Sequence, residues 1–149
     1  MPPRFFYPDT PDLPLPTRHR FPAGKYRRLR ERVVGERLLG RAILAASPTA
    51  LVAELACAHT DEYIAAVLEG TLSPEAQRRI GLPWSSTLER RSRATVGGSL
   101  AAAREALAHV ISGQLSGGTH HAHIDFGSGY CTFNDLAVAS LVLIAEGVV

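Results

Sequence analysis

Residues 136–146 carry apolar side chains around almost a whole helical circumference, and no other stretch constrains the fold as tightly. Leu136, Val138, Leu141, Val142, Leu143 and Ile144 point to both sides of a helix, whereas an ordinary surface helix carries one apolar stripe. Such a helix needs cover on both sides, and packed layers of secondary structure supply it. Asn134 or Asp135 can cap its start and Gly147 can end it, after which Val148 and Val149 read as the opening of a further strand.

Just before this helix, residues 117–135 place His120, His121 and His123 among glycine, serine and threonine positions that let the backbone turn tightly and come close to a ligand. Gln114-Leu115-Ser116 reads as a short buried strand. The histidines then sit at its carboxyl end, the rim where open parallel α/β sheets bind ligands. Adjacent histidines suit hydrolysis, because one neutral imidazole takes a proton from an attacking water while a protonated neighbour gives one to the leaving amine. An ordinary pKa near 6.5 brings both forms within reach at neutral pH. A second reading makes His120, His121 and His123, with Asp125 or Cys131, the ligands of a small metal-binding protein. A third is a polar surface loop that happens to carry imidazoles.

The rest of the chain reads as mostly helical. Prolines at positions 8, 11, 14, 16 and 22 force an extended lead-in, with one short strand expected at Arg4–Tyr7. A helix follows in which Tyr26, Leu29 and Val33 share a face and the arginines around them are solvated. Ser47-Pro48 reads as a helix start, with the helix running to about Leu55. Thr60 caps a helix over residues 61–68 that Gly70 stops, and Ser73-Pro74 opens another that Gly81 closes. A capping box at Ser86 and Glu89 opens a long helix whose apolar spacing persists through Leu107 and Ile111 to Gly113. Gly97-Gly98 inside it costs about 1 kcal/mol per glycine relative to alanine, so close packing against another backbone, or a kink, is expected there.

With 149 residues and 46% hydrophobic content, the chain suits a single domain. A formal net charge of +2 falls short of the dense basic stripe that binds a phosphate backbone, so nucleic acid is not an expected partner. Cys57 and Cys131 lie far apart, which indicates neither a disulfide framework nor a Cys-x-x-Cys knuckle and fits a reducing cytoplasm. The first residues lack the pattern of a signal peptide and no apolar run approaches a membrane span, so a cytoplasmic location with no membrane partner is expected.

Gly117-Gly118, His120-His121, the block Gly129-Tyr130-Cys131-x-Phe133-Asn134-Asp135 and the apolar helix after it together resemble the histone deacetylase superfamily, including its bacterial acetylpolyamine and acetoin-utilisation relatives. The His59 to Ile64 segment is similar to that family's His-x-x-x-Tyr-Ile block. His19 and Lys25 match a histidine and a basic residue ahead of its first helix. The resemblance implies an α/β fold, an incomplete arginase/deacetylase-type parallel sheet with flanking helices, helix-rich in this portion. It implies that residues 1–149 are the amino-terminal part of one domain, cut before the metal-binding strand. The activity implied is zinc-dependent removal of acyl groups from acyl-lysine or acyl-amine substrates, with His120 and His121 as the catalytic dyad and Gly129 and Tyr130 lining the substrate tunnel.

Tyr130 stands where phenylalanine is commoner and Thr132 where an apolar residue is usual. No Asp-x-Asp-x-His occurs in the sequence. The family's zinc ligands, its transition-state tyrosine and the carboxylates that pair with the dyad are therefore expected downstream. On this reading the chain alone is inactive, binds no zinc tightly, lacks anything to orient the dyad rings and needs the missing carboxy-terminal half as its partner. A non-catalytic binding or regulatory fragment is the rival reading.

Overall fold

In the computed structural model, which describes residues 1–149, the proline-flanked lead-in delivers strand β1 (Arg4–Tyr7) to the centre of a three-stranded sheet. Its neighbours are β2 (Ile43–Ala46) and β3 (Gly113–Gln114), both parallel to it, with Phe5 opposite Leu44 on one side and Gly113 on the other. Parallel neighbours require crossover connections. Helix α1 (Lys25–Gly35) lies between β1 and β2. The helices α2 (Val52–Leu55), α3 (Asp61–Glu69), α4 (Pro74–Ile80) and α5 (Ser86–His109) lie between β2 and β3, and α6 (Asp135–Ala145) follows the histidine loop.

The helix starts are chemically specified. Thr60 Oγ1 accepts from the Tyr63 amide at 3.3 Å, Ser73 Oγ from Ala76 at 3.1 Å and Asn134 Oδ1 from Ala137 at 3.0 Å. Two expected starts move. Ser85, extended at φ −158°, caps α5 by accepting from the Leu88 amide, so the cap lies one residue before Ser86, and Glu89 pairs with Arg93 instead. Ser47-Pro48 does not open a helix. The Ser47 amide donates to the Tyr7 carbonyl as β2 leaves the sheet, its hydroxyl is buried without a partner, and α2 begins at Val52.

The long helix also ends earlier than its apolar spacing suggests. Val110 turns to φ 72°, and Ser112 Oγ donates to the Arg4 carbonyl at 2.6 Å, so the chain leaves the helix in time to lay Gly113 against Phe5. Leu107 and Ile111 are exposed in consequence.

The main core gathers Leu55, Tyr63, Ile64, Val67, Val96, Leu100, Phe133, Val138 and Val142 where α5 and α6 pack together over α2 and α3. Gly97 lets α5 come close to the segment that leads into α2: a Cβ there would stand 2.0 Å from the Pro48 carbonyl oxygen. A smaller cluster of Leu13, Ile80, Leu82 and Leu88 closes the other end. α6 buries one side fully, with Val138 at 0% exposure, while Leu136, Leu141 and Ile144 stay exposed. Val148 and Val149 form no strand; Val148 donates back to the Leu143 carbonyl. No helix is long and apolar enough to cross a membrane.

Candidate active site

β3 runs out of the sheet straight into Gly117 and Gly118, whose φ values of 127° and 73° belong to a backbone path that favours glycine. This turn presents His120 and His121 side by side on the surface, their rings 4.3 Å apart between centroids and inclined by 37°. His120 Nδ1 bonds the Gly118 carbonyl at 2.9 Å. A carbonyl only accepts, so Nδ1 carries the hydrogen and, in the neutral ring, Nε2 keeps the lone pair of a base. The expectation that nothing in this chain orients the dyad rings is corrected by that bond for His120.

The structure brings Gly129 to the dyad: a Cβ added there would meet the His121 ring at 3.2 Å. Tyr130 follows with φ 66°, its amide donating to the Ile80 carbonyl at 2.8 Å and its ring 5.2 Å from Phe21 and 6.2 Å from His19. His19 Nε2 bonds the Gly81 carbonyl at 2.9 Å and so ties the lead-in to this wall. Lys25 is turned elsewhere, over the Phe21 and Tyr26 rings at 5.0 and 4.7 Å. It borders a groove of about 800 Å³ between α5, β3 and α6 that reaches the back of Gly117-Gly118.

The alternative metal centre does not assemble. His123 stacks on Phe126 at 4.4 Å instead of turning toward the pair, the Cys131 thiol is buried and donates to the Gly129 carbonyl, and no three His, Cys, Asp or Glu side chains come close enough to hold an ion. Burial pushes the Cys131 thiol up from its ordinary pKa, the reverse of what a ligating thiolate needs. The residues present therefore do not by themselves fit a zinc ion.

Beneath the loop lies a support that the sequence did not reveal. Asp135, 0% exposed, accepts from the Gly118 amide at 3.0 Å, the Thr119 amide at 2.7 Å, the Thr119 hydroxyl at 2.9 Å and the Ser99 hydroxyl. Asn134 Nδ2 donates to the Ala122 carbonyl at 3.0 Å and, more weakly, to that of His120. His59, also buried, accepts the Asn134 amide on Nε2 at 3.0 Å and packs against Phe133 and Tyr63. Its Nδ1 lacks a hydrogen bond of normal geometry, although the His123 and Ile124 carbonyls raise its pKa. Burial is the larger effect, and the net shift is downward. The Tyr63 hydroxyl donates to the Thr132 carbonyl at 2.7 Å, and burial holds that phenol well above its usual pKa. The visible signal for this support is the Asn-Asp pair at the head of an apolar helix, of which the helix cap accounts for Asn134 alone.

Residues 19–149 match the family described as the histone deacetylase domain. An uncharacterised protein of Picosynechococcus is 38% identical over 145 residues, covering 97% of this chain and 48% of that protein. The acetoin utilization protein AcuC of Bacillus subtilis is 38% identical over 100 residues, 58% of this chain and 25% of that protein. The chain thus spans about half or less of the curated relatives it matches. Among solved structures, an HDAC homologue from Aquifex aeolicus superposes with a TM-score of 0.73 at 22% identity, over 99% of this chain and 42% of that one. The HD domain of HDA15 gives 0.75 at 19% identity, over 98% and 44%. At such identities the structures speak for the fold alone, an α/β arrangement with a parallel sheet and flanking helices.

Proposed function

This chain belongs to the histone deacetylase family, and on that premise we propose that the protein of which it forms part is a zinc-dependent deacetylase that hydrolyses the amide of acyl-lysine or acyl-amine substrates. The observation that carries the reading is the dyad: two imidazoles 4.3 Å apart on one turn, one with its Nδ1 committed to a carbonyl and its Nε2 free.

In this reading His120 and His121 move protons. One neutral ring receives a proton from water on Nε2 while the other, protonated, delivers one to the departing amine nitrogen. Each role requires the protonation state that the other lacks. Gly129, with no side chain, lets the acyl-amine stem pass close to His121, and the Tyr130 ring walls the passage and adds a hydroxyl. Residues 1–149 are the amino-terminal part of the domain, and the rest of the domain is its partner. Zinc, which polarises the amide carbonyl and acidifies water where it is bound, would be held by residues outside this chain. Assay of the full-length protein on acetyl-lysine peptides and on acetylated polyamines tests the proposal: release of acetate from either class supports it, and none from both refutes it.

A further inference from the structure

We propose that Asp135 is the positioning residue of the histidine pair, fixing through Thr119 and Gly118 where His120 and His121 stand; the catalytic part of this claim rests on the deacetylase reading above. Its strongest support is how little the main chain holds this loop: from residue 116 to residue 122 the backbone forms only the single turn at residues 120–121 and makes no backbone–backbone hydrogen bond of normal geometry. The loop that carries the dyad is fastened mainly by side chains. With two consecutive glycines at positive φ ahead of Thr119, its path would otherwise be among the least restricted in the molecule.

Asp135 supplies most of that fastening. Oδ1 takes both donors of Thr119, its amide at 2.7 Å and its hydroxyl at 2.9 Å, and Oδ2 takes the Gly118 amide at 3.0 Å together with the Ser99 hydroxyl. The two amides belong to the residues just before His120, and the Gly118 carbonyl is the group that holds the His120 ring. Fixing that peptide therefore fixes the imidazole.

The carboxylate is itself immobile. It occupies the first turn of α6, where the helix N-terminus favours negative charge, and is wholly buried against α5. Ser99 in turn accepts from Gln114 Nε2, which also donates to the Thr95 carbonyl at 2.9 Å, so the clamp is referred to α5 and β3 together. No room exists for a longer acid, since a Cβ placed on Gly117 would already stand 2.8 Å from Oδ2. An acid that only capped a helix would need neither full burial nor donors from a loop sixteen or seventeen residues upstream.

The test uses the full-length protein with histidine rings labelled with nitrogen-15. Asp135→Asn replaces an acceptor with a donor facing the Gly118 amide or the Thr119 amide, and Thr119→Val removes the two bonds of the Thr119 hydroxyl, the one it donates to Oδ1 and the one it accepts from the Asp135 amide, while keeping shape. Each is expected to shift the ring signals of His120, and to lower kcat about ten- to a hundredfold with KM nearly unchanged. Thr119→Ser, which keeps both donors, should restore most of what Thr119→Val loses. If Asp135→Asn does not fold, Thr119→Val and Ser99→Ala carry the test. Wild-type ring signals and wild-type kcat in folded variants, with only a lowered Tm, would assign Asp135 a purely structural role and overturn the proposal. A wild-type protein that hydrolyses no acyl-amine defeats the deacetylase reading instead, and the ring signals still decide whether Asp135 positions the pair.

Discussion

Gly97→Ala puts the packing of this fold to a quantitative test. The added methyl would lie 2.0 Å from the Pro48 carbonyl oxygen, 2.8 Å from its carbon and 2.9 Å from the Ala50 amide nitrogen. All three are backbone atoms, so no rotamer change relieves the clash and the segment before α2 must move off α5. That movement breaks the bonds joining the two segments, Ala50 N–H to the Arg93 carbonyl at 3.1 Å and Arg93 Nε to the Ala50 carbonyl at 3.0 Å. Forced overpacking costs about 1–3 kcal/mol and each lost bond about 0.5–1.5 kcal/mol, while alanine's better helix propensity returns about 1 kcal/mol. The net expectation is destabilisation of about 1–5 kcal/mol, read as a fall in the urea midpoint at constant m-value. Gly35→Ala at the end of α1 is the control, since its methyl meets nothing within 4 Å and should gain about 0.4–1 kcal/mol. A Gly97→Ala protein as stable as wild type, or more so, would refute the close approach of α5 to residues 48–50.

Acid should loosen the support of the dyad loop through His59. Its pKa is lowered in the folded state by burial, so the unfolded chain binds the extra proton more readily. The stabilising contribution is complete above about pH 6.5 and is lost as pH falls toward the lowered folded value, with a slope approaching 1.4 kcal/mol per pH unit. Urea titrations across pH 5–8 should show this slope reduced in His59→Gln, and an unchanged slope would contradict it. Tyr63→Phe leaves the Thr132 carbonyl buried without its donor and should cost about 1–3 kcal/mol in the same assay; a neutral result would show that the bond is not formed. Leu136, Leu141 and Ile144 are 52%, 42% and 58% exposed on a helix that buries its other side, so the 149-residue chain studied alone should self-associate and bind an apolar dye, and Leu141→Glu should reduce both. A monomeric, dye-negative wild-type chain in sedimentation would contradict this.

Where local chemistry decides structure, the sequence was sufficient. Thr60, Ser73 and Asn134 cap helices as their hydroxyl and amide groups suggest, and of the pair Gly97-Gly98 the first marks a close backbone approach while the second faces the Ser47 and Gln114 side chains. Where distant partners decide, it was not. β2 is a four-residue apolar run, Ile43–Ala46, with no alternation of its own, and only pairing with β1 makes it a strand. Ser85 and Ser86 carry the same cap chemistry, and only the extended backbone at Ser85 selects between them. The dyad stood out as adjacent histidines in a glycine-rich loop. Asp135 did not, because its partners lie at Ser99, Gly118 and Thr119, and a carboxylate at a helix start already had an adequate local explanation.

The central claim is that His120 and His121 form a proton-moving pair and not a metal site, and the most direct measurement is acetate release together with zinc content in the full-length protein and its His120→Ala and His121→Ala variants. Each variant is expected to lose about 10²–10⁴ in kcat while retaining the wild-type zinc stoichiometry. Near-normal turnover in both variants, or loss of zinc on either substitution, would contradict it.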